Sequence, residues 1–159
     1  MVEQNHWIKL RKMMILKTAL YTKYRGKKDH AQKALDLVKP GHTIFIDSGS
    51  TTTMLSHILK DQPNTFVTSG LTCAIEMAKL KSAKVSLTGG NLNNRSLSVN
   101  GFEGLRLIER VNFDEAFIGV TNFSYKTGFT CESESDAEIK KSGYTKSQQS
   151  YNINGFFKI

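Results

Sequence analysis

Apolar residues fall along this chain in two alternating rhythms. Ala31, Ala34, Leu35 and Val38 recur at the spacing of one helix face, and Pro40-Gly41 stops that pattern. A β-branched and aromatic run follows at 43–46, then a second helical stripe of Met54, Leu55, Ile58 and Leu59 within 51–60. The unit repeats: strand 64–68 and helix 71–80, strand 84–88 and helix 102–111, strand 115–120 and a last amphipathic helix over 133–141. Such alternation predicts an α/β fold, a parallel sheet with helices on its faces. In sheets of this kind ligands bind beyond the carboxyl ends of the strands. The predicted ends are Asp47-Ser48-Gly49, Thr68-Ser69-Gly70, Thr88-Gly89-Gly90 and Gly119-Val120-Thr121, all small or hydroxylated, and they are expected to line one polar crevice.

The first of these ends carries the most chemistry. Strand 43–46 runs through Asp47 into Ser48, Gly49, Ser50, Thr51, Thr52 and Thr53, where the next helix starts. Gly49 permits a tight turn, and the hydroxyls stand beside the unpaired N–H groups and positive dipole end of the helix, an arrangement suited to a phosphate. Ordinary helix capping by Asp47 or Ser50 is the competing reading, but capping needs one such residue and Ser48, Ser50, Thr51, Thr52 and Thr53 crowd the turn with hydroxyls. Asp47 would repel a phosphate at close range. It is expected to accept a sugar hydroxyl, to brace the amides of its own loop, or to cap the strand end.

Length and composition narrow the class. With 159 residues, one domain is expected, and there is neither a run of eighteen apolar residues nor a leader pattern, so a cytoplasmic protein without a membrane span is expected. Cys73 and Cys131 lack a CxxC partner, and His6, His30, His42 and His57 lack metal spacing, so no metal or cofactor is expected. No Gly-x-x-x-x-Gly-Lys loop or Gly-x-Gly-x-x-Gly fingerprint occurs. The net charge of +8 is concentrated: residues 1–40 hold ten Lys or Arg against three Asp or Glu. That segment could touch DNA phosphates or form a helical arm packed on a partner. It is too short for a helix-turn-helix ahead of the first α/β unit, so no specific DNA binding by the chain alone is expected.

An ordered set of motifs carries a family resemblance. Gly41-His42-Thr43-Ile44-Phe45-Ile46-Asp47-Ser48-Gly49-Ser50-Thr51-Thr52, Val67-Thr68-Ser69-Gly70-Leu71, Leu87-Thr88-Gly89-Gly90, Ser96-Leu97-Ser98-Val99-Asn100-Gly101, Ala116-Phe117-Ile118-Gly119-Val120, Gly128-Phe129-Thr130 and Ala137-Glu138-Ile139-Lys140-Lys141 resemble the C-terminal sensor domain of DeoR-type transcriptional repressors of sugar metabolism, over residues 25–141. The resemblance implies a fold like that of ribose-5-phosphate isomerase and coenzyme A transferases, used as a non-catalytic receptor for phosphorylated sugars or related small metabolites. It places the phosphate loop on Asp47, Ser48, Gly49, Ser50, Thr51 and Thr52, a second ligand loop on Thr68 and Ser69, and a glycine pair on Gly89 and Gly90. It also places a charged helix start on Glu138 and Lys140 and an arginine on Arg95; Lys140 suits a phosphate or sugar oxygen as a point charge and Arg95 suits a bidentate clamp, a solvated side chain being the competing reading for each.

The departures from the family are equally specific. A basic arm, 1–24, stands where the family carries its winged helix; Thr121-Asn122 replaces an Asp-Gly pair; and 142–159 is a polar, atypical tail in place of the closing strands, as though the fold were truncated at its C-terminus. The expected organisation is therefore arm 1–24, sensor domain 25–141 and tail 142–159. A sugar-phosphate isomerase on the same fold is the alternative, needing a carboxylate base from Asp47, Glu132, Glu134 or Glu138. A remnant that neither binds nor reacts is the third reading. Unfinished sheet edges predict a homo-oligomer.

Overall fold

A computed structural model describes residues 26–120, 122–124, 128–131, 133–153 and 157–158. The expected arm 1–24 lies outside these residues, as do Thr121, the first position of the Thr121-Asn122 replacement, and Glu132. The elements run α1 (Lys27–Leu35), β1 (Thr43–Ile46), α2 (Ser50–Ile58), β2 (Thr65–Thr68), α3 (Leu71–Met77), β3 (Lys84–Leu87), β4 (Asn91–Asn93), β5 (Ser98–Asn100), α4 (Phe102–Glu109), β6 (Phe113–Ile118), β7 (Asn122–Ser124), β8 (Gly128–Thr130), α5 (Glu134–Thr145), β9 (Ser147–Asn152) and β10 (Phe157–Lys158). All the helices and strands read from periodicity are present, with ends shifted by a few residues.

The main sheet has the order β10-β9-β6-β1-β2-β3. Its five strands from β9 to β3 pair in parallel, and β10 joins β9 in the antiparallel sense. Alternate residues of the strands feed two cores. Ile44, Ile46, Phe66 and Phe117 pack under α1, α2 and α3 with Ala31, Ala34, Leu55 and Cys73. Phe45, Val67, Ala116 and Ile118 pack on the other face with Ile108 of α4 and Ile139 of α5. Gly143 lets α5 lie close to the sheet, because a Cβ there would meet the Phe45 ring at 2.5 Å.

The expected tail is corrected by this topology. Residues 142–145 complete α5, and β9 lies beside β6 as the fifth parallel strand, with Phe117 opposite Tyr151 and Ile118 opposite Asn152. Ser150, Tyr151, Asn152 and Ile153 are buried. The Phe117 and Tyr151 rings stack at 5.4 Å between centroids. The polar composition of 147–152 concealed a strand held by its backbone ladder.

Strand order fixes where a ligand can bind. From β1 the chain steps outward to β2 and β3, then returns to place β6 and β9 on the opposite side of β1. The order reverses between β1 and β6, and at such a point the loops leaving adjacent strands diverge and open a crevice. The residues at that gap are Asp47 and Gly119, the first ones beyond β1 and β6.

Candidate functional site

The loop from β1 to α2 leaves a helix start open. Gly49 is the N-cap, no side chain caps the helix, and its first turn has no acidic residue. The Thr53 N–H donates to the Gly49 carbonyl at 2.9 Å and closes the first turn. The amides of Ser50, Thr51 and Thr52 precede that bond and have no partner within the helix. The hydroxyls of Thr52 and Thr53 also donate to the Gly49 carbonyl, at 2.9 and 2.8 Å. These two hydroxyls shape the loop, which leaves Ser48, Ser50 and Thr51 as the hydroxyl donors for a ligand.

Above this loop opens a cavity of about 900 Å³. It straddles the carboxyl edge of the sheet. Lys27 and His30 of α1 and the start of α2 stand on one flank, Ser133, Asp136 and Lys140 of α5 on the other, and Gly119 and Val120 at the end of β6. The β4–β5 hairpin closes the rim with Asn93, Arg95, Ser96 and Ser98. The Asn93 side chain accepts from the amides of Arg95 and Ser96 at 2.9 and 3.3 Å, so the turn carrying Arg95 is fixed from within. The exposed Arg95 makes no ion pair among the described residues.

A buried charge cluster forms the floor on the α5 side. Lys140 Nζ lies 2.9 Å from Asp136 and 3.3 Å from Asp47, and Asp47 Oδ2 also accepts the Gly119 N–H at 2.9 Å. Asp47 has no exposed surface, and its Oδ1 has no hydrogen-bond partner. Burial raises the Asp47 carboxyl to about 6, against the opposing pull of Lys140 and the Gly119 amide. Burial alone would lower Lys140, but Asp47 and Asp136 outweigh it and hold the ammonium above its ordinary range. Asp47 braces a backbone amide, but that of Gly119 across the β1–β6 gap and not one of its own loop.

The other sequence-predicted residues divide clearly. Ser48, Gly49, Ser50, Thr51, Thr52, Arg95 and Lys140 line the cavity; Asp47, Thr68, Ser69, Gly89 and Gly90 are not among its lining residues. Thr68 accepts the Gly70 N–H at 3.0 Å. Ser69 is fully buried, and its carbonyl accepts from the Val99 amide. Gly90, at φ +127°, is needed where β4 meets β5, since a Cβ would collide with the Asn100 carbonyl. Gly89 similarly passes against Glu103 of α4. Glu134 and Glu138 are exposed and absent from the lining. Asp136, Lys27, His30 and Ser98 went unread, although an acid four residues before Lys140 on a helix was a visible signal for the first of them.

The sheet and its flanking helices share the ribose-5-phosphate isomerase type of fold. Ribose 5-phosphate isomerase A of Methanocaldococcus jannaschii superposes with a TM-score of 0.53 at 14% identity, over 78% of this chain and 49% of that one. The family follows from the sequence: the model of the DeoR C terminal sensor domain matches residues 22–153, and the chain belongs to that family, one of transcription regulators rather than enzymes. The matched span includes β9. Relatives are the HTH-type transcriptional regulator GolR of Listeria innocua, 34% identical over 70% of this chain and 44% of its own length, and the HTH-type transcriptional regulator GlpR of Haloferax volcanii, 32% identical over 73% and 46%. The chain thus spans somewhat under half the length of these two relatives. No described helix is long and apolar enough to cross a membrane.

The position of Asp47 has a measurable consequence. Its carboxyl titrates near 6 in the fold against 3.8 when unperturbed, so the folded state holds the proton more tightly and stability from this group declines as pH rises from about 4 to 6. Lys140, raised, contributes throughout that window. In Asp47→Asn the decline is absent, and urea titrations are expected to show the wild type losing on the order of 2 kcal/mol relative to the variant between about pH 4 and 6.5. Parallel stability profiles would show that Asp47 takes up its proton at the same pH in the folded and unfolded chain.

Proposed function

We propose that the chain is the effector-sensing unit of a sugar-metabolism transcription regulator, and that its cavity binds a phosphorylated sugar without turnover. The uncapped start of α2 carries this reading: amide donors, the helix dipole and the Ser48, Ser50 and Thr51 hydroxyls border one cavity, and among the described residues no side chain caps the helix. Arg95 and Lys27 add positive charge at the rim. Reading of an operator is assigned to other parts of such regulators, because the described residues offer no recognition helix beside a basic groove.

A panel of phosphorylated and unphosphorylated sugars tests the site. A phosphorylated ligand at about a hundred times its dissociation constant should stabilise the fold by roughly 2.7 kcal/mol, read as a melting shift. Thr51→Asp should abolish the shift by placing a carboxylate at the anion's position. No shift with any phosphorylated sugar, or a shift that survives Thr51→Asp, contradicts the reading. Turnover of the bound sugar, followed by NMR, would favour the isomerase.

The unit is further proposed to self-associate along β3. The large hydrophobic side chains exposed among the described residues are Ile75, Leu87, Leu92, Leu97 and Phe102, and they sit on α3, β3, the β4–β5 hairpin and α4 around that edge. An open edge strand flanked by apolar side chains favours pairing with another strand. Native mass measurement at high micromolar concentration should find a dimer or larger form that Phe102→Asp weakens. A monomer at that concentration opposes the proposal.

A further inference from the structure

Asp47 is sealed from the cavity but bonded to its floor. Lys140 and Gly119 both line the cavity, and both engage the same carboxylate oxygen: Asp47 Oδ2 lies 3.3 Å from Lys140 Nζ and accepts the Gly119 N–H at 2.9 Å. The other oxygen, Oδ1, is buried and has no hydrogen-bond partner. Lys140 is shared with Asp136 at 2.9 Å, so one ammonium answers two carboxylates. A proton on Oδ1 would disturb neither contact of Oδ2 and would leave Lys140 and Asp136 as a balanced pair. The open amides of α2 are near: Asp47 and Ser50 stand three positions apart in the chain, so their Cα atoms are at most about 11 Å apart.

We infer that anion binding in this cavity is coupled to proton uptake: an anion seated on the α2 amides draws a proton from solvent onto Asp47 Oδ1, and a protonated Asp47 in turn tightens the hold on the anion. This inference rests on the phosphate reading given above, and it needs no contact between ligand and Asp47, because charge acts through the cavity floor. Two negative charges about 10 Å away raise the proton affinity of a carboxyl about fourfold even at the dielectric of water, and by more across protein. The effect is mutual, since protonation strengthens anion binding by the same factor. Burial already holds the carboxyl near 6, so the exchange falls between pH 6 and about 7. The groups around Asp47 are Lys140 and Asp136 from α5, the Gly119 amide from β6, and the Cys73 thiol of α3, which lies 3.6 Å from the Asp47 carbonyl oxygen; Cys131, ahead of α5, is close enough to feel the same charges. Lys27 and His30 of α1 and Arg95 of the hairpin belong to the cavity wall. Of all these His30 is the rival for the proton, since an imidazole ordinarily exchanges one near neutral pH.

Isothermal titration of the whole chain with inorganic sulfate tests the coupling, because sulfate keeps both its charges in a range where phosphate is itself titrating. Carried out near pH 6.3 in two buffers of different ionisation enthalpy, it is expected to show uptake of about a third to a half of a proton per sulfate bound, and sulfate affinity should rise about three- to sixfold from pH 7.5 to 5.5. The uptake should persist in His30→Gln and vanish in Asp47→Asn, whose amide oxygen can still accept the Gly119 N–H. A second measurement needs no variant: the titration midpoint of the Asp47 carboxyl carbon, followed by NMR, should climb by at least about half a pH unit in saturating sulfate. Sulfate binding without proton uptake, uptake that survives Asp47→Asn or is lost in His30→Gln, or a midpoint unmoved by sulfate would overturn the coupling and leave the anion site standing. No binding of sulfate or of inorganic phosphate would overturn both.

Discussion

Lys140 is the fastening on which the site depends. It projects from a helix on one face of the sheet and reaches the carboxylate at the end of β1, which in turn holds the first amide beyond β6. The switch point between β1 and β6 is thereby bridged by side-chain chemistry where the strand ladder has run out. Removing one member of a buried ion cluster leaves the others uncompensated, at a cost of about 3–5 kcal/mol, whereas burying the intact cluster is close to neutral. Such a cluster therefore fixes geometry more than it adds stability. What it fixes here is the angle between the α5 flank of the cavity and the β1–α2 loop.

The loop itself works by omission. A helix start normally recruits Ser, Thr, Asp or Asn to satisfy its amides. In α2 the N-cap is Gly49, and two of the nearby hydroxyls turn back onto the Gly49 carbonyl. The open amides are affordable only because they face a solvent-filled cavity, where water or an anion meets them. The same loop, closed by a carboxylate cap, would be an ordinary βα connection.

Much of this was legible in the sequence, and the failures share a cause. β1, β2 and β6 announce themselves through β-branched and aromatic runs bounded by Gly, Pro and Asn, and the helices through apolar stripes. β9 is Ser-Gln-Gln-Ser-Tyr-Asn, with nothing of the hydrophobic alternation a strand usually shows; its place is set by the backbone of β6 and by polar side chains that find partners, Tyr151 on Gln149 and Ser150 on the Tyr144 carbonyl. The Asn-rich β4–β5 hairpin was hidden in the same way. In the site, Ser48 to Thr52 were visible because hydroxyls crowd a strand-to-helix turn. Asp136 went unread because acids are ordinary in the first turn of a helix, and Gly89 and Gly90 read as ligand glycines because the close approach they permit, to Glu103 and to the Asn100 backbone, is tertiary.

Amide chemical shifts measure directly whether an anion sits on the open amides of α2. A titration of isotopically labelled chain with inorganic phosphate, followed residue by residue, should move the Ser50, Thr51 and Thr52 N–H resonances together and saturably, with smaller movements at Gly119 and Arg95. Saturable shifts confined to the surface lysines, with the α2 amides unmoved, would contradict the account.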